Sequence, residues 1–386
     1  MEPPQGELSR MREPQRSNED DGSTVSAYYG ALNSGKQSIA LDLKNRDGMA
    51  TFRSLLKNAD VLVTNMRTGA LERLGMHPDT LHKDFPRLIV ASISGFGLKN
   101  AGAFADRAGL AMVAEALSGT TGLTRDHSGN PVWCGFALGD ILAGMTAHAA
   151  VLLALRNQEK HGYGQVLDLA LAECSLPMVC VALSRIQFSD LTQNPASKND
   201  FHGVPYGAFP ASDGFVNIGV NSDVFWRRFC MAMEKPELAS DVRYATYVER
   251  AKRQEEVTGI TEAFTRKHTR EEINKKLWEA DVPVASILSM EEVLTSEYFK
   301  ERGALREVDD GIGGRILLPV DPTRFDDESK ISRVPRLGEH RNEVLGTKLG
   351  FSLETIQALE SHGAFGPRRQ NVSSAPPSPE SHSIKD

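Results

Sequence analysis

An aspartate at the start of a long apolar run is the residue of this sequence best suited to covalent chemistry. Asp140 ends the stretch Phe136-Ala-Leu-Gly-Asp140, and the apolar residues after it predict a helix over 141–156. On the residues alone, Asp140 is an N-cap, because aspartate accepts backbone N–H bonds there and suits the helix dipole. A carboxylate in such an open position can also act as a covalent nucleophile, and the two roles are compatible.

Other motifs with known chemistry are incomplete. Gly95-Phe96-Gly97 lacks the third glycine of a dinucleotide-binding fingerprint, because Asn100 occupies its place, so a turn after a strand is the better interpretation. The sequence contains no Walker A motif and no Gly-x-Ser-x-Gly elbow. The ten histidines show no metal-site spacing, so no metal is expected.

Composition and charge exclude several classes of partner. The 44 basic and 51 acidic residues give a net charge of −7, which does not favour nucleic-acid binding or an anionic membrane. The apolar stretch Ile141–Leu155 is short for a membrane span and predicts a buried helix. The four cysteines form no regular framework, which indicates a reducing intracellular compartment, whether cytoplasmic or mitochondrial.

The order of apolar runs predicts parallel α/β structure in the first half of the chain. A helix over 48–58, a buried run at 61–63, a helix over 77–83 and a second run at 88–93 alternate as in such folds. Ligands of these sheets bind at the carboxyl ends of the strands, which here are the loops 64–68 and 94–99. Further along, the pattern predicts a helix over 107–118, a loop over 119–130, an extended run over 131–138 and a strand over 166–171.

The second half predicts a smaller α+β domain. Strands at 208–212 and 215–220 flank an Asp213-Gly214 turn, and charged helices lead to a strand at 282–287. The polar segments 1–25 and 366–386 predict disordered tails. The predicted organisation is thus a large α/β domain over 26–199, a small domain over 200–320 and a C-terminal segment over 321–365 that returns to the large domain.

Several segments together resemble one protein family, the family III CoA-transferases. Asn33–Lys44 is similar to the family's Asn-x-x-Lys-Arg-Ser-Ile-x-Leu-Asp-Leu-Lys segment, and Ala59–Gly75 resembles its Ala-Asp-Val-x-x-Glu-Asn-Phe-x-Pro-Gly run. Further matches are Pro86–Gly97, Ala137–Asp140, Gly162–Gln165 and Leu337–His340. The resemblance covers about residues 28 to 362.

The resemblance implies a Rossmann-like large domain, a small domain and an interlocked homodimer. It also implies transfer of CoA from an acyl-CoA to a carboxylic acid through an aspartyl-acyl anhydride, with acyl-CoA as substrate and no permanently bound cofactor. Asp140 matches the catalytic aspartate. The matching CoA-site residues are Lys44, Asn65, Met66, Arg67, Arg73, Gly95, Phe96 and Gly97. The segment His202–Phe209 resembles that of members that use dicarboxylates such as succinate.

Two alternatives stay open. Racemase relatives place a histidine in a Gly-His-Asp stretch, where this sequence has Gly109-Leu110-Ala111; because Leu110 cannot act as a second base, transferase is favoured. The family's first strand–helix unit, expected before Asn33, is missing, and Thr64 replaces a usual glutamate. A truncated, inactive member is therefore the third interpretation.

Overall fold

The computed structural model describes residues 1–105, 107–126, 128–188, 203–323 and 333–366. In this part of the chain the strands β1 to β10 are Gln15–Ser17, Thr24–Ser26, Val61–Thr64, Ile89–Ser94, Val166–Ala170, Tyr206–Ala211, Gly214–Gly219, Val284–Ser286, Leu305–Asp309 and Arg315–Pro319. The helices α1 to α18 are Ala27–Asn33, Arg46–Leu56, Thr68–Arg73, Pro78–Asp84, Ala111–Leu117, Thr120–Leu123, Leu138–His161, Leu171–Ser175, Cys180–Phe188, Asp223–Ala232, Glu237–Ser240, Tyr247–Lys252, Gln254–Thr265, Arg270–Glu279, Met290–Thr295, Glu297–Glu301, Arg341–Leu349 and Leu353–Ser361.

The chain divides into two compact units. Unit 1 comprises Met1–Asp106, Met145–Leu169 and Arg302–Asp386, and unit 2 comprises Arg107–Gly144 and Ala170–Glu301. The predicted boundaries at 199 and 320 differ from this division. Arg107–Gly144 and 170–188 of the predicted large domain lie in unit 2, and 302–320 of the predicted small domain lie in unit 1. Apart from its first residue, the predicted tail over 366–386 lies outside the described residues.

A three-stranded sheet in unit 1 contains the predicted α/β elements. Strand β3 pairs in parallel with β4, from Val61 opposite Ile89 to Thr64 opposite Ser92, and β5 lies on the other side of β4. The first four residues of β4 are buried, as expected for the central strand of a parallel sheet. The pattern that predicts a helix over 48–58 is confirmed by α2, which starts two residues earlier at Arg46, directly after its N-cap Asn45.

The N-terminal segment 1–25 is ordered, and the prediction of a disordered tail there is wrong. The Glu2 carboxylate accepts hydrogen bonds from Arg10 Nε at 2.6 Å and from Ser38 Oγ at 2.7 Å. Burial alone would raise the pKa of Glu2, but these two partners outweigh it and lower the pKa. Strands β1 and β2 form an antiparallel hairpin within the same segment. Polar side chains of this segment such as Glu2 and Arg10 are therefore paired with each other and with the rest of unit 1.

Unit 2 has a core built around aromatic side chains. The predicted hairpin is confirmed: β6 pairs antiparallel with β7 across Ser212 and Asp213, and β8 extends the sheet. Trp226 and Phe229 of α10 are fully buried against this sheet and its covering helices. The Arg250 guanidinium, also fully buried, lies 5.3 Å from the Trp226 ring centroid and donates to the Val204 carbonyl at 2.9 Å.

Replacing Trp226 by Ala should therefore destabilise unit 2 strongly. We expect the free energy of unfolding to fall by about 3–5 kcal/mol, because a large cavity opens beside a buried guanidinium. Trp278→Ala is the matched control, since Trp278 is 62% exposed, and its cost should stay below about 1.5 kcal/mol. Urea denaturation followed by circular dichroism measures both. Equal losses for the two variants would contradict the assignment of Trp226 to the core.

The long apolar helix α7 is mostly exposed, so the prediction of a buried helix is wrong. Only 22% of its most apolar 18-residue window is buried, and Ile141, Met145 and Leu153 are each more than half exposed. Length and composition would allow α7, and likewise the stretch Leu171–Phe188, to cross a membrane. Exposed apolar side chains of a helix are normally covered by a partner, and a single chain covers only part of the apolar surface of α7.

Candidate functional site

Asp140 lies in the first turn of α7. The helix begins at Leu138, so Asp140 is its third residue and not the N-cap predicted from the sequence. The predicted extended run over 131–138 forms no strand in the described chain beyond an isolated bridge between Arg125 and Pro131. The predicted loop over 119–130 contains the short helix α6. A carboxylate in a first turn is favoured by the helix dipole, so the position suits a charged Asp140.

The Asp140 side chain is accessible, yet its surroundings disfavour the charged form. The residue is exposed, while its neighbour Gly139 is buried. Desolvation by nearby protein atoms, and after it the negative charge of Glu115, raise the pKa of Asp140 above its ordinary value. A carboxylate that is more basic than usual is a stronger nucleophile once ionised. The site is thus suited to attack by this carboxylate.

Lys44 lies in unit 1 on a tightly built turn. Its backbone N–H donates to Asp42 Oδ1 at 2.9 Å, and the next residue, Asn45, caps α2. Gly48 is required beneath this turn, because a Cβ there would lie 2.1 Å from the Asp42 carbonyl oxygen. The Lys44 side chain is exposed at the end of this rigid turn.

An open cleft of about 780 Å³ in unit 1 brings three of the predicted residues together. Lys44, Asn65 and Met66 all line it. Its other lining residues are Met1, Glu2, Pro3, Pro4, Gln5, Glu7, Tyr29, Asn33, Lys36, Gln37, Ser38, Leu41, Asp42, Leu43 and Leu74. We call this the N-terminal cleft. A volume of this size is in the usual range for small-molecule sites.

The remaining predicted binding residues lie outside the lining of that cleft. Arg67 precedes α3 and Arg73 ends it, both with exposed side chains. Gly95, Phe96 and Gly97 follow β4, where Gly97 has a φ of +92°. The Asp168 carboxylate fixes this loop by accepting the Leu98 N–H at 2.7 Å and the Lys99 N–H at 3.0 Å.

Sequence reasoning missed several residues that the structure brings to these sites. Lys36 lines the N-terminal cleft, and its position within the Asn33–Lys44 segment was the available signal. The Met1–Glu7 segment lines it too, but its polar composition concealed this. Glu115 gave no signal, because its contact with the start of α7 is made across 24 residues.

His202, part of the predicted dicarboxylate segment, lies outside the described residues. Within those residues no group of three or more His, Cys, Asp or Glu could hold a metal ion.

Comparison with known proteins places these observations in one family. The model of CoA-transferase family III matches residues 1–341. A succinyl-CoA–D-citramalate CoA-transferase of Chloroflexus aurantiacus is 30% identical over 86% of this chain and 83% of its own. A succinate–glutarate CoA-transferase of Agrobacterium fabrum is 32% identical over 87% and 83%. A formyl-CoA:oxalate CoA-transferase of a Bradyrhizobium species is 30% identical over 90% and 86%.

Solved structures agree with this assignment. A CAIB/BAIF family protein of Brucella suis has a TM-score of 0.78 and is 28% identical, covering 90% of both chains. A protein of Mycobacterium tuberculosis has a TM-score of 0.74 at 26% identity, covering 88% of both chains. The resemblance inferred from the sequence motifs is confirmed, and the chain belongs to CoA-transferase family III.

Proposed function

We propose that this protein transfers CoA from an acyl-CoA to a carboxylic acid, with Asp140 as the reacting carboxylate. Family membership supports CoA transfer in general. The observation that carries the assignment to Asp140 is an accessible carboxylate in the first turn of α7 whose pKa is raised by its surroundings. The alternatives of a racemase and of an inactive member have less support, because the named relatives are CoA-transferases.

The proposed reaction proceeds through carboxylic anhydrides. An Asp140 oxygen attacks the thioester carbonyl carbon of the donor, the C–S bond breaks, and CoA leaves as the thiolate. The thiolate then attacks the Asp140 carbonyl carbon, which releases the donor acid and leaves an aspartyl-CoA thioester. The acceptor carboxylate attacks that thioester to give a second anhydride and free thiolate. Attack of the thiolate on the acceptor's carbonyl carbon yields the new acyl-CoA and restores Asp140.

We assign CoA recognition to unit 1. Lys44 and Arg73 supply cationic groups for the phosphates, and Asn65, Met66 and Arg67 contribute the adjoining segment. The loop Gly95–Gly97 would adjoin the pantetheine arm. The support is that Lys44, Asn65 and Met66 share one cleft and that Asp168 holds the loop after β4 in a fixed shape.

We further propose a dicarboxylate as the acceptor acid. The support is that the relatives named above are CoA-transferases for citramalate, glutarate and oxalate. The test measures exchange between succinyl-CoA, glutaryl-CoA or formyl-CoA and a panel of acids by liquid chromatography and mass spectrometry. We expect a dicarboxylate acceptor to exceed acetate by at least about tenfold, because a hydrogen bond to its second carboxylate is worth about 1.5–3 kcal/mol.

Two further measurements distinguish the transferase from the racemase and from the inactive member. Deuterium incorporation at the α-carbon of a 2-methylacyl-CoA in D₂O, without any acceptor acid, would favour the racemase and contradict the transferase. If the protein shows no CoA exchange and binds no CoA in isothermal titration calorimetry, the interpretation as an inactive member is supported.

Removing the Lys44 charge should weaken substrate binding more than it slows the reaction. We expect Lys44→Ala to raise KM for acyl-CoA about tenfold while kcat changes less than about threefold, because a phosphate contact is made equally in ground and transition states. Lys57→Ala is the matched control: Lys57 is exposed just after α2 and does not line the cleft. An unchanged KM for Lys44→Ala in steady-state kinetics would contradict this assignment.

We also propose that two copies of the chain form a homodimer through unit 2. Helix α5 packs against α8, and α6 packs against the helical turn Leu176–Val179. Helix α9 contacts the same helical turn. Large apolar side chains on this group of helices are exposed to solvent: Met112, Val113, Leu117, Leu123, Leu176, Met178, Val181, Leu183, Ile186 and Phe188. We call this set the apolar surface of unit 2. Monomeric proteins rarely expose so many neighbouring apolar groups, so a second copy is the covering partner we propose.

A further inference from the structure

Glu115 is a buried acidic residue beside the start of α7. It belongs to α5 and is 1% exposed. Both carboxylate oxygens accept hydrogen bonds: Oε1 from the Gly139 backbone N–H at 2.9 Å and Oε2 from Trp133 Nε1 at 2.8 Å. Burying a carboxylate costs several kcal/mol, and a retained one is normally fully hydrogen-bonded. An apolar residue of the same size would fill this space at lower cost, so packing alone does not account for Glu115.

The contact lies one residue before Asp140. The first N–H groups of a helix have no partner within the helix, and the Gly139 N–H is one of them. Glu115 therefore caps α7 from a different helix. Gly139 also allows close approach, since a Cβ there would lie 3.3 Å from the Ala111 carbonyl oxygen at the start of α5. Two independent contacts thus fix the end of α7 that carries Asp140 against α5.

We infer that Glu115 is a positioning residue for the reaction: its carboxylate clamps the Gly139 N–H and the Trp133 indole so that Asp140 is held in one place for attack. This inference rests on the proposed function of Asp140. A nucleophile gains most of its advantage from fixed geometry, and a displacement of about 1 Å can cost about a hundredfold in rate. Glu115 and Gly139 are both buried, so the hydrogen bond between them is shielded from solvent, whereas Trp133 is 44% exposed.

The charge of Glu115 provides a readout that a purely structural residue lacks. Among the described charged groups, Glu115 is the one whose field adds to desolvation in raising the pKa of Asp140. Since the reaction needs the ionised carboxylate, activity should rise with pH through that raised pKa. Removing the negative charge should move this acidic limb to lower pH.

The test is Glu115→Gln, which keeps shape and one acceptor oxygen but turns an NH₂ group toward the second donor. We expect kcat to fall about 10–100-fold, KM for acyl-CoA to change less than about threefold, and the acidic limb of kcat/KM to shift to lower pH. Trp133→Phe is the control that removes one clamp contact and leaves the charge. It should lower kcat less, with the acidic limb in place.

Each outcome decides the inference. A Glu115→Gln enzyme with the parent's kcat and pH profile would overturn it, as would a loss of thermal stability with kcat and pH profile unchanged. If that variant does not fold, Glu115→Asp decides instead, because its shorter side chain keeps the charge but cannot reach both donors. A parent-like kcat for Glu115→Asp would then overturn the inference.

The parent enzyme is first treated with acyl-CoA and hydroxylamine, which tests the proposed function of Asp140 separately. Absence of any Asp140 adduct there refutes the proposed function itself, whereas an adduct with a parent-like Glu115→Gln refutes only the clamp.

Discussion

Asp140→Ala should abolish CoA transfer, with kcat falling at least about a thousandfold while the variant still binds acyl-CoA. The loss follows because no other group would form the anhydride with the donor acyl group. Glu173→Gln is the matched control, since Glu173 is likewise an exposed acidic residue in the first turn of a helix of unit 2. It should retain the parent's rate. Transfer by Asp140→Ala at the parent's rate would exclude the proposed mechanism.

The same position should show a conflict between activity and stability. Because the folded chain raises the pKa of Asp140, the folded state binds this proton more tightly than the unfolded state does. As pH rises from the unfolded value of about 3.8 through the raised folded value, ionisation of Asp140 therefore removes stability. Asp140→Asn, which cannot ionise, should unfold at neutral pH at the same temperature as the parent or higher. Such tension is common where a site is built for chemistry.

Charges placed in the apolar surface of unit 2 should separate the two copies. We expect the parent to elute as a dimer, and Val181→Asp combined with Ile186→Asp to raise the dimer dissociation constant at least about a thousandfold, because each buried unpaired charge costs several kcal/mol. Both residues are on α9 and more than half exposed in the single chain. Size-exclusion chromatography with light scattering at several concentrations measures the effect.

The control for this experiment is Val242→Asp, which changes an 82% exposed apolar residue of unit 2 that lies outside those helices. It should leave the dimer intact. A parent that is monomeric at micromolar concentration would contradict the proposed dimer. A parent that is insoluble without detergent and inserts into lipid vesicles would show that the exposed helices face a membrane instead.

Local patterns were sufficient to predict many elements of the fold. The apolar face of α2 and the buried residues of β4 follow from the spacing of apolar side chains. The β6–β7 hairpin follows from Asp213-Gly214 between two β-prone runs. In these cases the residues that form an element and those that stabilise it are close in sequence. The local composition and the period of the apolar residues are therefore enough to predict the element.

The errors occurred where distant partners decide the structure. The polar composition of residues 1–25 predicts disorder, but the Glu2 carboxylate accepts hydrogen bonds from Arg10 and from Ser38, which is 36 residues away. The local pattern predicts Asp140 as an N-cap, whereas α7 begins at Leu138 and its Gly139 N–H donates to Glu115 of another helix. Exposure of α7 was missed because an apolar run indicates a covered surface without saying which molecule covers it.

The most direct test of the central claim is to trap the acyl group on the enzyme. Parent protein is mixed with succinyl-CoA, quenched with hydroxylamine and digested, and the peptide that contains Asp140 is analysed by tandem mass spectrometry. Attack of hydroxylamine on the activated Asp140 carbonyl predicts a hydroxamate at that residue, which forms only with acyl-CoA present and is absent from Glu173. Turnover of acyl-CoA and acid without any hydroxamate at Asp140 would contradict covalent catalysis by this carboxylate.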